Sequence, residues 1–137
     1  MFSTLDLKSG YWQIPLNPKS KHKSSFVCKQ GTFEFNVMPC GLCNTPGTFQ
    51  RVMDSILKPL LGKFVYVFLD DIIVFSKSKE EHISHVKEVF RLLHRYNFKL
   101  NKHKCQFNKS ELIFLGHVIS HHSIRVDKEK VDAINTM

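Results

Sequence analysis

The sequence has 137 residues, the size of one domain, and its 42% hydrophobic content, with 12 phenylalanines, excludes a disordered tail. Twenty lysines and arginines against 12 acidic residues give a net charge of +8. That charge favours anionic partners such as nucleic acid, the alternative being a merely soluble basic surface.

No run approaches the roughly 20 apolar residues of a membrane span, and no signal peptide pattern follows Met1, so we expect an intracellular protein without a membrane partner. We expect four reduced cysteines, Cys28, Cys40, Cys43 and Cys105.

The first predicted element is a strand over residues 2–7, which carries one acid, Asp6, between Leu5 and Leu7. Burying an unpaired carboxylate costs on the order of several kcal/mol, so Asp6 is hydrogen-bonded, neutralised, bound to a metal, or placed at a strand end facing water. No cap or linker precedes the strand, which predicts that the chain is a fragment of a larger protein.

A tight turn is predicted at Ser9 and Gly10, where free backbone N–H groups are suited to binding an anion. Tyr11 and Trp12 follow, and taken by themselves both are predicted to be core aromatics. The polar loop of residues 17–25 carries three lysines. It lies in solvent or contacts phosphates, and its charge alone does not decide between the two.

Two amphipathic helices are predicted from apolar residues that recur at steps of three and four. The first begins with Thr45 as N-cap and Pro46 at the first position, and it ends at Gly62. The second begins with a capping box formed by Ser78 and Glu81. Its last turn is basic, which is favourable against the helix dipole.

The remaining elements are β-strands. Two hairpins are predicted from segments rich in Val, Ile, Phe and Tyr, at residues 26–29, 32–37, 64–69 and 72–75. Shorter strands are predicted at residues 98–100, 105–107, 112–119 and 124–126, and a final basic helix begins at Asp127. The order of hairpins and helices predicts one α+β domain over residues 1–137, with one antiparallel sheet and helices on a single face.

Three carboxylates, Asp6, Asp70 and Asp71, fall at the ends of apolar strands. Two adjacent anions at the tip of a hairpin repel each other unless a cation binds there. If the strand of Asp6 pairs with this hairpin, the three acids share one site. Hard oxygen ligands select Mg²⁺ or Mn²⁺, and such a site can hold two ions about 3.5–4 Å apart.

Several sequence blocks follow one another along the chain in an order typical of one protein family: residues 5–11 (LDLKSGY), 38–42 (MPCGL), 44–46 (NTP), 48–50 (TFQ), 68–71 (FLDD) and 114–117 (FLGH). Over nearly its whole length the chain resembles the reverse transcriptase palm of gypsy-type LTR retrotransposon polyproteins. The resemblance implies an RNA-directed DNA polymerase that acts on an RNA or DNA template-primer and deoxynucleoside triphosphates, in the cytoplasm and in the context of a virus-like particle. It also implies a partial domain, without the upstream fingers and the downstream thumb and RNase H.

The resemblance assigns roles to the charged residues of the site. Asp6 and Asp70 would be the principal ligands of two Mg²⁺ or Mn²⁺ ions, and Asp71 would support them. Lys104 resembles the basic residue that protonates the leaving pyrophosphate, and Lys102 is an alternative.

The same resemblance assigns the nucleotide site. Tyr11 matches the aromatic residue that clashes with a ribose 2′-OH, which overturns the core interpretation for Tyr11 but not for Trp12. The backbone of Ser9 and Gly10 would meet the triphosphate. The block with Cys40 and Gly41 would lie near the incoming base, and a hairpin would grip the primer strand through Phe114, Leu115, Gly116 and His117.

Some positions depart from the family pattern. Cys40, Cys43, Thr45 and Gly47 replace more usual residues, which bears on nucleotide affinity more than on metal binding. Phe68 opens the aspartate block where Tyr is frequent, a tolerated variant.

The sequence leaves three alternative functions. Cys40 and Cys43 form a Cys-x-x-Cys pair that could join His82 and His85 in a metal site, but a single pair is weak, and both histidines are predicted to be solvated on the helix surface. A cation-dependent nuclease would use similar carboxylates but has no use for Tyr11. A non-catalytic nucleic-acid-binding remnant of a retroelement remains the main alternative, and we expect the isolated chain to be weakly active or inactive.

Overall fold

Strands and helices alternate along the computed structural model, which describes residues 1–126. The elements are β1 (Phe2–Asp6), β2 (Phe26–Cys28), β3 (Gly31–Phe33), α1 (Thr45–Leu57), β4 (Val65–Phe68), β5 (Asp71–Phe75), α2 (Lys79–Arg95), β6 (Gln106–Lys109), β7 (Glu111–Phe114), β8 (His117–Ser120) and β9 (Ile124–Val126). Short 3₁₀ helices cover Gly10–Gln13 and Pro18–Ser24. The α+β class is confirmed, and the helix predicted from Asp127 lies outside the described residues.

Within residues 1–126, the strands form three antiparallel sheets rather than one. The central sheet has the order β4-β5-β1-β6, while β2-β3 and β7-β8-β9 are separate. The segment predicted as one strand over residues 112–119 is a hairpin, because Leu115 and Gly116 turn the chain with φ of 51° and 74°. Residues 98–100 contribute only an isolated bridge between Leu100 and Leu7.

The central sheet has two different faces, set by the period-2 alternation of its strands. Leu5 of β1 and Ile72 and Val74 of β5 are at most 1% exposed and pack in the main core with α1 and α2. Phe2 and Ile73 point to the other face, where they pack with Leu112 of β7 in a smaller cluster. The main core also includes Met38, Phe49, Met53, Leu57, Val65, Val89 and Leu93. Both helices therefore cover one face, as predicted.

The ends of α1 differ from the prediction, whereas the start of α2 agrees with it. Thr45 lies inside α1 and its Oγ1 donates to the Pro39 carbonyl at 3.2 Å, so it is not the cap. The helix ends at Leu57, and Gly62, with φ of 73°, lies in the connection to β4. Ser78 accepts a hydrogen bond from the Glu81 N–H at 3.2 Å, which confirms the predicted cap.

Two side chains lie in environments opposite to those predicted. Trp12 is 58% exposed, because successive residues of a 3₁₀ helix point in different directions and Tyr11 takes the inward one. His82 is only 2% exposed and hydrogen-bonded, so it is not a solvated surface histidine. The four cysteines are free thiols, as expected. Within residues 1–126, neither helix combines the length and apolar character needed to cross a bilayer.

Candidate active site

Asp6 and Asp71 face each other across the central sheet. They are direct partners in the antiparallel pair β1–β5, so both project from the face opposite to the helices. Both line a cavity of about 170 Å³, together with Lys104 and with Phe114 and Leu115 of the β7–β8 hairpin. The fold therefore brings two of the three predicted acids, the predicted lysine and part of the predicted primer hairpin to one cavity.

Asp70 occupies the tip of the β4–β5 hairpin, where Leu69 has a φ of 51°. Its Oδ1 is buried without a hydrogen-bond partner and points toward Gly10. A Cβ placed on Gly10 would lie 2.0 Å from this oxygen and 2.8 Å from Cζ of Phe49. Only glycine at position 10 leaves room for Asp70 in this orientation.

The site carries excess negative charge. The pKa of Asp70 is raised, first by burial and then by Asp6 and Asp71, and Lys104 opposes this only in part. The pKa of Asp71 is also raised, by desolvation and by Asp6. Lys104 Nζ lies 3.9 Å from Asp6 Oδ2, but its side chain is 67% exposed, and such solvated pairs contribute only about 0–1 kcal/mol. A bound cation would relieve this repulsion.

The donor atoms are carboxylate oxygens, which suit Mg²⁺ or Mn²⁺. The unpartnered Oδ1 of Asp70 also has free acceptor capacity. In the described part of the chain, however, no three side chains of His, Cys, Asp or Glu are gathered closely enough to hold a metal ion as they stand. The oxygen ligands of these residues therefore suit Mg²⁺ or Mn²⁺, although the Asp70 side chain points toward Gly10 and not toward the other two acids.

The predicted nucleotide-binding residues lie beside Asp70. Tyr11 is half-buried and packs edge-on against Phe49, with ring centroids 5.0 Å apart. Burial, followed by the charges of Asp70 and Cys40, raises the pKa of Tyr11. Ser9 is exposed in the left-handed conformation, with φ of 50°.

Among the remaining predicted residues, Phe114 and Gly116 are partly buried, and the others are exposed. Cys40 and Gly41 are exposed, and Gly41 has a φ of 94° with open space around it. In the β7–β8 hairpin, Phe114 pairs with His117, and the imidazole Nδ1 of His117 lies 3.2 Å from the carbonyl of Leu115.

The family described as "Reverse transcriptase (RNA-dependent DNA polymerase)" matches residues 1–119. The chain belongs to the reverse transcriptase family. This confirms the resemblance seen in the sequence blocks.

Relatives of the chain are retrotransposon polyproteins. It is 46% identical over 133 residues to the retrovirus-related Pol polyprotein from transposon 297 of Drosophila melanogaster. It is 40% identical to the corresponding polyprotein from transposon gypsy of the same species, and 37% identical to the transposon Tf2-3 polyprotein of Schizosaccharomyces pombe. The alignments cover 97–98% of this chain but only 10–13% of the relatives, so the chain spans a small part of their length.

Solved reverse transcriptases share the fold. The foamy viral protease-reverse transcriptase in complex with an RNA/DNA hybrid superimposes with a TM-score of 0.88 at 26% identity, covering 98% of this chain and 18% of that protein. A form of that enzyme in complex with double-stranded DNA gives a TM-score of 0.91 over 99% of this chain and 24% of its own. The palm-like α+β architecture predicted for the chain is thereby confirmed.

One residue of this reverse transcriptase chain has a contact that the sequence analysis missed. Gln50 of α1 accepts a hydrogen bond from the Leu69 N–H at 2.7 Å and donates to the Val67 carbonyl at 3.2 Å. Its amide also donates to Asp54 at 2.8 Å. Gln50 thus ties the hairpin that carries Asp70 to α1. The available signal was an amide next to the core-facing Phe49, since an amide can satisfy a strand donor and acceptor at once.

Proposed function

We propose that this chain is the catalytic palm of an RNA-directed DNA polymerase, which adds deoxynucleotides to a primer 3′-OH on an RNA or DNA template. The observation that carries the proposal is the register of β1 and β5, which sets Asp6 opposite Asp71 beside the hairpin tip with Asp70. Family membership and the nucleic-acid complexes of the structural relatives support it. The charge of +8 suits contacts to phosphates, which weaken as salt rises.

The proposal assigns metal binding to Asp6, Asp70 and Asp71. Two Mg²⁺ or Mn²⁺ ions held by these oxygens would supply activation of the attacking hydroxyl and stabilisation of the leaving pyrophosphate. The protein's own part is electrostatic. Asp6 and Asp71 line the cavity with one exposed lysine, and Asp70 lies at the hairpin tip next to Asp71, so this region attracts cations. The proposal assigns protonation of the departing group to Lys104, whose Nζ lies 3.9 Å from Asp6 Oδ2, with Lys102 as the alternative.

Substrate selection is assigned to the residues around Tyr11. Because Phe49 is fully buried and holds the Tyr11 ring edge-on, the phenol is a fixed obstacle next to Asp70. A ribose 2′-OH would meet this obstacle, which favours deoxynucleotides. The backbone of Ser9 and Gly10 would contact the triphosphate, and Cys40 and Gly41 would border the incoming base. The primer strand would rest on Phe114, Leu115, Gly116 and His117.

Primer extension by the purified chain tests the assignment. We expect Mg²⁺-dependent incorporation of deoxynucleotides, weak in this chain, that falls by about 10²–10³-fold or more in Asp6→Asn and Asp70→Asn. Glu80→Gln, which removes an exposed carboxylate at the start of α2, is the matched control and should leave incorporation unchanged. Incorporation by Asp70→Asn at the level of Glu80→Gln would contradict the proposal.

A second experiment addresses the sugar. Tyr11→Ala should incorporate ribonucleotides far better relative to deoxynucleotides than the parent chain does. Trp12→Ala, at the exposed neighbouring position, should leave the ratio unchanged. An unchanged ratio in Tyr11→Ala would remove the sugar-discrimination role. It would also reopen the nuclease alternative, which has no need of Tyr11.

Binding of nucleic acid without catalysis is the second candidate function. One observation favours it, namely that Asp70 Oδ1 points toward Gly10 rather than joining the other acids. Titration of the chain with Mn²⁺, followed by the loss of the free Mn²⁺ electron paramagnetic resonance signal, separates the two candidates. Binding that is lost in Asp70→Asn supports the polymerase. Duplex binding by the chain, combined with no Mn²⁺ binding and no incorporation, supports the non-catalytic function.

A further inference from the structure

A buried histidine on the helix-covered side of the central sheet is not used by the proposed function. His82, in the first turns of α2, is 2% exposed. Its Nε2 lies 2.6 Å from Oγ of Ser3, which is itself fully buried in β1. Its Nδ1 lies 2.9 Å from Oγ of Ser76, directly after β5. One imidazole therefore connects α2 to both central strands.

The contacts continue beyond these two serines. The backbone N–H of Asn108 in β6 donates to Ser3 Oγ at 3.1 Å. On the other side, Ser76 Oγ lies 2.7 Å from Nδ1 of His85, whose ring stacks on Phe64 at a centroid distance of 3.7 Å. The network formed by Ser3, His82, Ser76 and His85, which we call the serine-histidine clasp, joins α2, β1, β6 and the end of β5.

One direction of donation satisfies every group in the clasp. Ser3 accepts from Asn108 and donates its hydroxyl proton to Nε2 of His82. His82 then donates from Nδ1 to Ser76, whose hydroxyl proton goes to Nδ1 of His85. This arrangement requires His82 to be neutral with its proton on Nδ1.

We propose that the serine-histidine clasp is an acid-sensitive lock between α2 and the central sheet, which opens when His82 takes up a second proton. When Nε2 of His82 is protonated, it becomes a hydrogen-bond donor that points at Ser3 Oγ, which already accepts from the N–H of Asn108. The hydroxyl proton of Ser3 then has no acceptor, because Nε2 no longer has a free lone pair. At a fully buried hydroxyl this mismatch has no access to water and destabilises the closed arrangement. The lock is independent of the proposed polymerase function, since none of its members lines the carboxylate cavity.

The charges around His82 reinforce the effect. The amino group of Met1, just before β1, contributes positive charge near His82, and so does His85 of α2. Lys87 of α2 borders the small cavity beside the ring. Glu81, 3.9 Å from Nε2 of His85, is the nearby carboxylate, and β6 presents the uncharged Phe107 and Asn108. Burial first, and then the positive groups, lower the pKa of His82.

The direction of the pH effect follows from this shift. Above the usual histidine pKa of about 6.5, His82 is neutral in both the folded and unfolded chain, and the stabilisation is complete. As the pH falls below that value the unfolded chain is protonated first, so stability is lost until the lower folded pKa is reached. Asp70 and Asp71, with raised pKa values, act in the opposite direction, so variants are needed to isolate His82.

Urea unfolding of the 137-residue chain between pH 5.5 and 7.5 tests the lock. We expect the unfolding equilibrium constant to rise as the pH falls below 6.5, by up to about tenfold per pH unit. His82→Gln should lose this dependence. His94→Gln, at an exposed position near the other end of α2, should retain it. Equal pH dependence in His82→Gln and His94→Gln would overturn the proposal.

A measurement on the unaltered chain decides the question if His82→Gln fails to fold. The imidazole nitrogen resonances report the tautomer and the titration of each ring. We expect the proton of His82 on Nδ1 at pH 7.5 and a titration midpoint of His82 below the usual histidine pKa of about 6.5. A proton on Nε2, or a midpoint of His82 at or above that usual value, would refute the lock.

Discussion

Replacement of Gln50 by alanine should loosen the hairpin that presents Asp70. The side chain of Gln50 supplies the hydrogen bond to the Leu69 N–H, at 2.7 Å, and one to the Val67 carbonyl, at 3.2 Å. Leu69 holds a φ of 51°, a conformation that β-carbon sterics disfavour and that surrounding contacts must therefore maintain. Without the amide, this turn loses its link to α1.

The size of the effect follows from the two backbone bonds. Each contributes roughly 0.5–1.5 kcal/mol net, so the loss of both lowers the free energy of unfolding by about 1–3 kcal/mol. For a chain of this length the melting temperature should fall by about 3–12 °C. Asp54→Ala removes only the third contact of Gln50, the 2.8 Å bond between side chains, and should cost less than about 1 kcal/mol.

Urea unfolding gives the free energies, and amide hydrogen exchange gives the local effect. In Gln50→Ala the Leu69 amide should exchange markedly faster than in Asp54→Ala, because it loses its acceptor. Mn²⁺ affinity should fall as well, since Asp70 follows Leu69 directly. If Gln50→Ala were as stable as Asp54→Ala and protected Leu69 equally, the inferred role of Gln50 in holding the hairpin would be wrong.

Three further predictions concern the same region and α2. Gly10→Ala should lower the melting temperature, because the new Cβ would lie 2.0 Å from Asp70 Oδ1 and 2.8 Å from the buried Phe49 ring, and such overpacking costs about 1–3 kcal/mol. Gly47→Ala is the control and should not destabilise the chain, because its nearest neighbour, a guanidinium nitrogen of Arg51, would lie 3.7 Å from the new Cβ. Asp70→Asn should raise the melting temperature of the metal-free chain at pH 7, since the raised pKa of Asp70 means that its ionised form is disfavoured in the fold. The gain should shrink as the pH falls and vanish below about pH 3, where the unfolded carboxyl is also protonated, and a gain that persists there would contradict this origin. Ser78→Ala should lower the free energy of unfolding in urea by about 0.5–2 kcal/mol through loss of the α2 cap. An equal loss in Ser55→Ala, at an exposed position in the last turn of α1, would show that the cap is not responsible.

The elements that the sequence predicted best are those with strong local signals. Apolar β-formers around Asp70 and Asp71 predicted the central hairpin, and the pairing of Ser78 with Glu81 predicted the start of α2. Asp6 could be placed at a strand end, but its position opposite Asp71 depends on the register of β1 and β5, which no local pattern encodes.

The residues that were misjudged depend on long-range contacts. His82 was predicted at the surface from its helical position alone, but its partner Ser3 lies 79 positions away in sequence. Gln50 bonds to a strand 17–19 positions later, and the chain around residue 115 divides one predicted strand into two. In each case tertiary packing selects among conformations that the local sequence permits about equally.

The in-register pairing of Asp6 with Asp71 couples assembly of the site to folding of the core. A slip of β1 by one residue would turn Asp6 toward the helices and Leu5 toward water, so it would destroy the apolar face and the carboxylate pair together. Misregistered chains are thus unstable as well as unable to form the site. The hydrophobic energy that selects which face of β1 packs against the helices therefore also selects the face on which Asp6 meets Asp71.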